Sequence, residues 1–129
     1  KVAVLGAVEM VSENMQATLD AALLSKMNQR DQIRHCLIDG PLAFDNAISL
    51  ESATHKGIRS DVAGDTDLLL MPDIEVGNVL YKSLVFFAHA GVAAVILGAT
   101  APIVLTSRSD SDQAKYYSIV LAAAITRKE

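Results

Sequence analysis

The chain has 129 residues, 51% of them apolar and 20% charged, with seven Gly, three Pro and one Cys. That composition excludes a disordered or collagen-like polymer and suffices for one packed domain. With 11 basic and 15 acidic residues the net charge is −4, which argues against a nucleic-acid binder and its basic face.

In chain order, residues 2–8 are the first strand-like run, short and nearly continuous in Val, Ala and Leu. Met15, Leu19, Leu23 and Met27 recur every fourth residue and predict a helix with a one-sided apolar stripe, capped by Asn14 or Ser12. Residues 35–38 read as the second strand. A helix is predicted from about Ala43 to Lys56, with Gly57 as its C′ residue. Residues 58–67 read as an exposed loop, and 67–71 as the third strand. A helix over 76–90 would face Val79, Leu80, Leu84 and Phe87 inward. Residues 92–97 are a fourth strand-like run. The next run, 103–106, follows after too few residues for a parallel crossover, so it is antiparallel or leaves the sheet. The last helix covers 111–127, with Tyr117, Val120, Leu121 and Ala124 as its stripe and Lys115, Arg127 and Lys128 on its outer face. Alternating strands and helices predict an α/β fold: a three-layer αβα domain with a mostly parallel sheet and one antiparallel strand.

Several classes are set aside. The apolar stretches fall short of the ~20 residues that span a bilayer. Lys1 opens the chain almost inside a strand, with no charged leader and cleavage site; a piece of a longer protein is expected. One cysteine forms neither an internal disulfide nor a metal site, and fits a reducing, cytoplasmic setting. Cys36, placed in a strand, reads as an inert buried thiol. His35, His55 and His89 lie in separate elements without ligand spacing, so no metal is expected. Neither a G-x-G-x-x-G nor a Walker-type G-x-x-x-x-G-K-[ST] pattern occurs. Phe86 and Phe87 read as core or interface residues.

Polar residues collect where strands end, and that rim is where open α/β sheets bind ligands. The predicted strand ends carry Asp39-Gly40-Pro41, Pro72-Asp73 with Gly77 and Asn78, Gly98, and Thr106-Ser107-Arg108. Asp39 and Asp73 serve equally well as helix caps, and Gly-Pro and Pro-Asp as turns. Asp110 followed by Gln113 is similar to a capping box with Asp as the cap, which marks a helix start. A helix start with Arg108 and two hydroxyls beside it is a phosphate site or simply a capped helix with a solvated Arg. Lys82 shares a helix face with Asn78, turned to the rim or to solvent.

Three blocks carry a resemblance. Met71-Pro72-Asp73-Ile74-Glu75-Val76-Gly77-Asn78-Val79-Leu80-Tyr81-Lys82 resembles the P-D-x-x-x-G-N-x-x-Y-K block of phosphate acyltransferases. Asp39-Gly40-Pro41-Leu42-Ala43-Phe44-Asp45-Asn46-Ala47 resembles their D-G-x-x-x-x-D-x-A block. Gly98-Ala99-Thr100-Ala101-Pro102, with Ser107-Arg108 after it, resembles their G-x-x-x-P…S-R block. The blocks stand in family order and cover essentially the whole chain. The family is phosphate acetyltransferase and phosphate butyryltransferase. Pro102-Ile103-Val104-Leu105-Thr106-Ser107-Arg108 is more similar to the butyryl branch, since acetyl enzymes usually carry N-D-L before S-R.

The resemblance implies a much longer, two-domain enzyme with its active site between the domains. This chain would be its C-terminal part, inactive alone. The implied reaction is acyl-CoA plus phosphate giving acyl phosphate plus CoA, with CoA as substrate, no bound cofactor, no metal, and a homodimeric assembly. Ser107 is implied to stabilise the carbonyl oxyanion, and Arg108 to hold phosphate or a CoA phosphate. Acetyl-type members place an Asp seven residues after that serine; here the position is Ala114. Asp110 and Asp112 are the nearby acids: either serves as base, another residue does, or both only cap the helix. Gly98 and Ala99 would let backbone approach the ligand. Asp39, Gly40, Asp73, Asn78 and Lys82 would line the substrate site or hold the domain together. Ala114 favours an alternative, a non-catalytic CoA-binding or dimerisation domain of the same fold. A helper domain of a bifunctional enzyme is a third reading.

Overall fold

β1 (Val2–Leu5) is the central strand of a three-stranded parallel sheet, with β2 (Ile38–Leu42) on one side and β3 (Leu68–Leu70) on the other. The computed structural model describes residues 1–126. Val2 lies opposite Ile38 and Leu68, and Ala3 opposite Asp39 and Leu69. Ala3, Val4 and Leu5 are buried, as expected of a central strand with neighbours on both edges. Helices flank the sheet, giving the αβα arrangement expected. The chain divides into two compact units, Lys1–Asn78 and Val79–Glu129.

In the first unit the core is Ala3, Leu5, Leu42, Ala47, Ala53, Val62 and Ala63. α1 (Gln16–Gln29) buries Thr18, Ala21 and Ser25, not the Met/Leu stripe. Leu23 is 62% exposed, and Met15 and Met27 are exposed too. The reason is close approach. A Cβ on Gly40 would stand 2.6 Å from the Val4 carbonyl oxygen and 3.2 Å from the Ala21 Cβ. Only small side chains fit at that crossing. The Ser25 hydroxyl lies 2.9 Å from the Ala21 carbonyl and 3.2 Å from that of Gly40. Neither Asn14 nor Ser12 caps α1. Met15 occupies the cap position without a side-chain bond, and the Thr18 hydroxyl, accepting from the Ser12 N–H at 2.9 Å, ties down the entering chain.

β2 starts at Ile38, three residues later than expected. The Asn28 side chain ties down the preceding loop. It donates to the Ile33 and Cys36 carbonyls, both at 3.0 Å, and accepts from the Ile38 N–H at 2.9 Å. Cys36 is therefore a half-buried loop residue, not a strand thiol. The single helix expected over 43–56 is two, α2 (Phe44–Ile48) and α3 (Leu50–His55). Ser49, extended at φ −123°, breaks them and caps α3 by accepting the Ser52 N–H at 3.2 Å. Gly57 follows with φ +66°, as its place after the helix requires. The 58–67 loop is not wholly exposed: Val62 and Ala63 belong to the core. Gly64 makes that possible. Its φ is +78°, and a Cβ there would stand 2.5 Å from Leu50 Cα.

α4 (Ile74–Phe86) spans the unit boundary. It has no buried residue. Val79, at 67% exposed, and Leu84 face outward, and so does Phe87, 86% exposed and just past the helix end. The inward face expected for them is uncovered among the described residues. α5 (Asp112–Thr126) buries Ala114, Ser118 and Ala122, while Tyr117 and Val120 of the expected stripe are exposed. Arg127 and Lys128 lie outside the described residues. The fourth strand and the antiparallel strand expected over 92–97 and 103–106 are not present among the described residues; the sheet is wholly parallel. The two runs meet in one antiparallel bridge, Ile96 to Ile103. The Ala94 N–H explains why pairing goes no further: it donates to the Ser118 hydroxyl at 2.9 Å and is not free for a neighbouring strand. No helix among the described residues is long and apolar enough to cross a membrane.

Candidate active site

The residues with the densest polar contacts lie in the second unit, on a turn over 107–110 and on two consecutive residues of α4. The turn closes through the Asp110 N–H donating to the Ser107 carbonyl at 3.1 Å. In return the Ser107 N–H donates to Asp110 Oδ2 at 2.7 Å. The Tyr81 hydroxyl donates to Asp110 Oδ1 at 2.6 Å. Lys82 Nζ donates to Ser107 Oγ at 3.3 Å and to Ser109 Oγ at 3.2 Å, and the two hydroxyl oxygens are 3.0 Å apart. Consecutive helical residues point about 100° apart, so the turn meets α4 on two sides.

The donor arithmetic limits what this cluster offers. An ammonium has three N–H groups, and Lys82 spends two on the serines. One of the two hydroxyl protons lies between Ser107 and Ser109. One hydroxyl proton and one ammonium proton remain to point outward. Arg108 sits between the two serines, is exposed, and has no hydrogen bond or ion pair among the described residues. The start of α5 follows at once, adding its free N–H groups and partial positive charge. The outward-facing groups are thus donors and cations, an arrangement suited to an anion or a developing oxyanion.

The acids behave differently. The Tyr81 hydroxyl, followed by the Ser107 N–H and the Lys82 and Lys115 charges, holds the Asp110 carboxyl below the usual carboxylate range. The same bond to Asp110 pushes the Tyr81 phenol upward. Asp110 does not cap α5. Ser111 does, its Oγ accepting the Ala114 N–H at 3.2 Å, so the expected Asp110–Gln113 capping box is not formed. The Gln113 amide donates to the Tyr117 hydroxyl instead. Asp112 is exposed in the first turn of α5 and pairs with Lys115 at 3.1 Å. Ala114 is buried beneath a hollow walled by Phe86, His89 and Tyr117.

The structure therefore brings together Lys82, Ser107 and Asp110, with Arg108 on the same turn. Gly98, at φ +89°, and Ala99 line a separate hollow with Pro102 and Ile125. Asp39, Gly40 and Asp73 belong to the first unit. Asp39 Oδ1 accepts the Gly40 N–H at 2.8 Å, Gly40 is a packing glycine, and Asp73 Oδ1 accepts the Val76 N–H at 2.8 Å as the cap of α4. Asn78 is exposed on α4. Tyr81 was missed as a site residue. It stands beside Lys82 in the quoted block, and that adjacency is the only local sign of its role.

The chain matches the family model described as Phosphate acetyl/butaryl transferase over residues 1–123. It is 58% identical over 123 residues to a phosphate acetyltransferase of Thermotoga maritima, covering 95% of this chain and 42% of that one. It is 59% identical over 122 residues to a probable phosphate butyryltransferase of Bacillus subtilis, covering 95% and 41%. A crystal structure of a branched-chain phosphotransacylase from Enterococcus faecalis superposes with a TM-score of 0.87 at 37% identity, over 99% of this chain and 46% of that one. The chain thus spans about 42% of the length of the curated relatives it matches. Family model, relatives and superposition agree: the chain belongs to the phosphate acetyl/butyryl transferase family.

Proposed function

We propose that the protein carrying this chain transfers an acyl group between CoA and inorganic phosphate, and that this chain supplies the groups that meet the reacting carbonyl and the phosphate. The observation that carries the reading is the donor cluster of Lys82, Ser107 and Ser109 around Arg108. In the forward direction a phosphate oxygen attacks the thioester carbon. The C–O bond forms, the carbonyl oxygen becomes an oxyanion, and the C–S bond then breaks to release CoA thiolate. The outward hydroxyl proton of the Ser107–Ser109 pair stabilises the oxyanion, and Lys82 polarises that hydroxyl. Arg108 holds phosphate through its planar fork. Phosphate is anionic near neutral pH, and a thiol of pKa about 8.5 leaves readily as thiolate. Forward transfer therefore needs no carboxylate base, and an Ala at position 114 does not disable it.

The same reading includes a homodimer and a cytoplasmic setting without metal or bound cofactor. The exposed Phe86, Phe87, Tyr116 and Ile119 support association. Light scattering should show a dimer of the whole protein; a monomer at every concentration contradicts it. To test the activity, thiol release would be followed with acetyl-CoA, butyryl-CoA and isobutyryl-CoA, with and without phosphate. Phosphate-dependent release is expected from the whole protein and none from the isolated chain. No release with any acyl-CoA would favour a non-catalytic module; robust release by the isolated chain would refute the need for further residues.

A further inference from the structure

We propose that Tyr81 is a positioning residue for acyl transfer, acting through Asp110 to hold the Ser107 turn against Lys82, and that Asp110 is a structural acceptor rather than the base. This deepens the acyl-transfer reading and rests on it. The geometry is a short relay. Tyr81 Oη–H reaches Asp110 Oδ1 at 2.6 Å, and Asp110 Oδ2 takes the Ser107 N–H at 2.7 Å. Both carboxylate oxygens are therefore spent on the fold. A base needs an accessible lone pair and a proton affinity near that of its target. Asp110 has neither: its oxygens are engaged, and the Tyr81 hydroxyl lowers its affinity for a proton.

The relay also accounts for the hydroxyl geometry. Lys82 reaches Ser107 Oγ only if the turn stays where Asp110 pins it. The Lys82 contacts are long, 3.3 and 3.2 Å, and do not fix the turn alone. Tyr81 and Asp110 are 29 residues apart, so the bond ties the turn to α4 rather than to its own neighbours.

Replacing Asp110 by Asn separates positioning from proton transfer. An Asn carbonyl accepts the Ser107 N–H while its amide donates to the Tyr81 hydroxyl, so both links survive without a titratable group. In the whole protein we expect Tyr81→Phe to lower kcat about tenfold with KM for acyl-CoA and phosphate little changed, because a placed donor is lost and binding is not. Asp110→Ala should lose at least as much, and Asp110→Asn should recover most of it. Amide hydrogen exchange of the peptide containing Ser107 should speed up in Tyr81→Phe and Asp110→Ala but not in Asp110→Asn. Asp110→Asn as inactive as Asp110→Ala overturns the proposal in favour of a base. So does a Tyr81→Phe variant with unchanged kcat and exchange. If the wild-type protein releases no thiol, the acyl-transfer reading has failed on its own. The exchange arm then decides for the relay: faster exchange in Tyr81→Phe upholds it, unchanged exchange overturns it.

Discussion

The two units of this chain are held together by different means. The first is a sheet with a continuous apolar core, and its tightest points are two glycines against backbone. The second has no strand among its described residues and buries only Ala114, Ser118 and Ala122. Its order comes from side-chain hydrogen bonds: Ser118 to the Ala94 N–H, Asp110 to Ser107, Tyr81 to Asp110. Packing tolerates little change in volume, whereas a hydrogen-bonded turn tolerates little change in chemistry. The difference explains why the reactive groups of the site sit in the unit with the smaller core. Polar side chains there still meet one another and present their spare donors outward.

The contrast can be broken from either side. The largest effect is expected at Gly64→Ala. The added Cβ meets Leu50 backbone at 2.5 Å and the φ is +78°, so the loss should exceed about 3 kcal/mol in thermal or denaturant melting. Gly40→Ala should follow, at about 1–3 kcal/mol, because α1 must move off the sheet. In the second unit, Ser118→Ala should cost about 1–2 kcal/mol by leaving the Ala94 N–H without its acceptor. A smaller loss there than for Leu23→Ala would invert the account. Leu23 is 62% exposed, and its truncation in the isolated chain should stay within about 0.5 kcal/mol.

Acid sharpens the same comparison. Asp110 has a lowered folded pKa, so its contribution is present above the unfolded value of about 3.9 and is lost as pH falls through the lower folded value. The 107–110 turn should therefore loosen on acidification below about pH 4, seen as faster amide exchange after correction for intrinsic rates. Asp110→Asn should abolish that acid dependence. An acid response of the same size in Asp110→Asn would place its origin elsewhere.

The order of strands and helices was legible because their periods differ, and the first three strands lie within a few residues of the positions read from apolar runs. The buried faces were not. In α1 and α5 the conspicuous large apolar stripes point outward, and the helices dock through Thr18, Ala21 and Ser25 or Ala114, Ser118 and Ala122. A periodic stripe shows that a face seeks cover. It does not say which partner covers it, and in α1 close approach at Gly40 admits only the small residues. Ser107, Arg108, Asp110 and Lys82 stood out as candidates from their motif blocks. The link from Tyr81 to Asp110 did not, because a contact across 29 residues leaves no local pattern.

The central claim is that the 107–110 turn meets the reacting groups. Its most direct test is phosphate-dependent thiol release by the whole protein with Arg108 intact and as Arg108→Ala. The expected result is a loss of about 10²-fold or more in kcat/KM with an unchanged melting temperature, since Arg108 is exposed and supports no fold contact among the described residues. Undiminished phosphate-dependent release by Arg108→Ala would contradict the account.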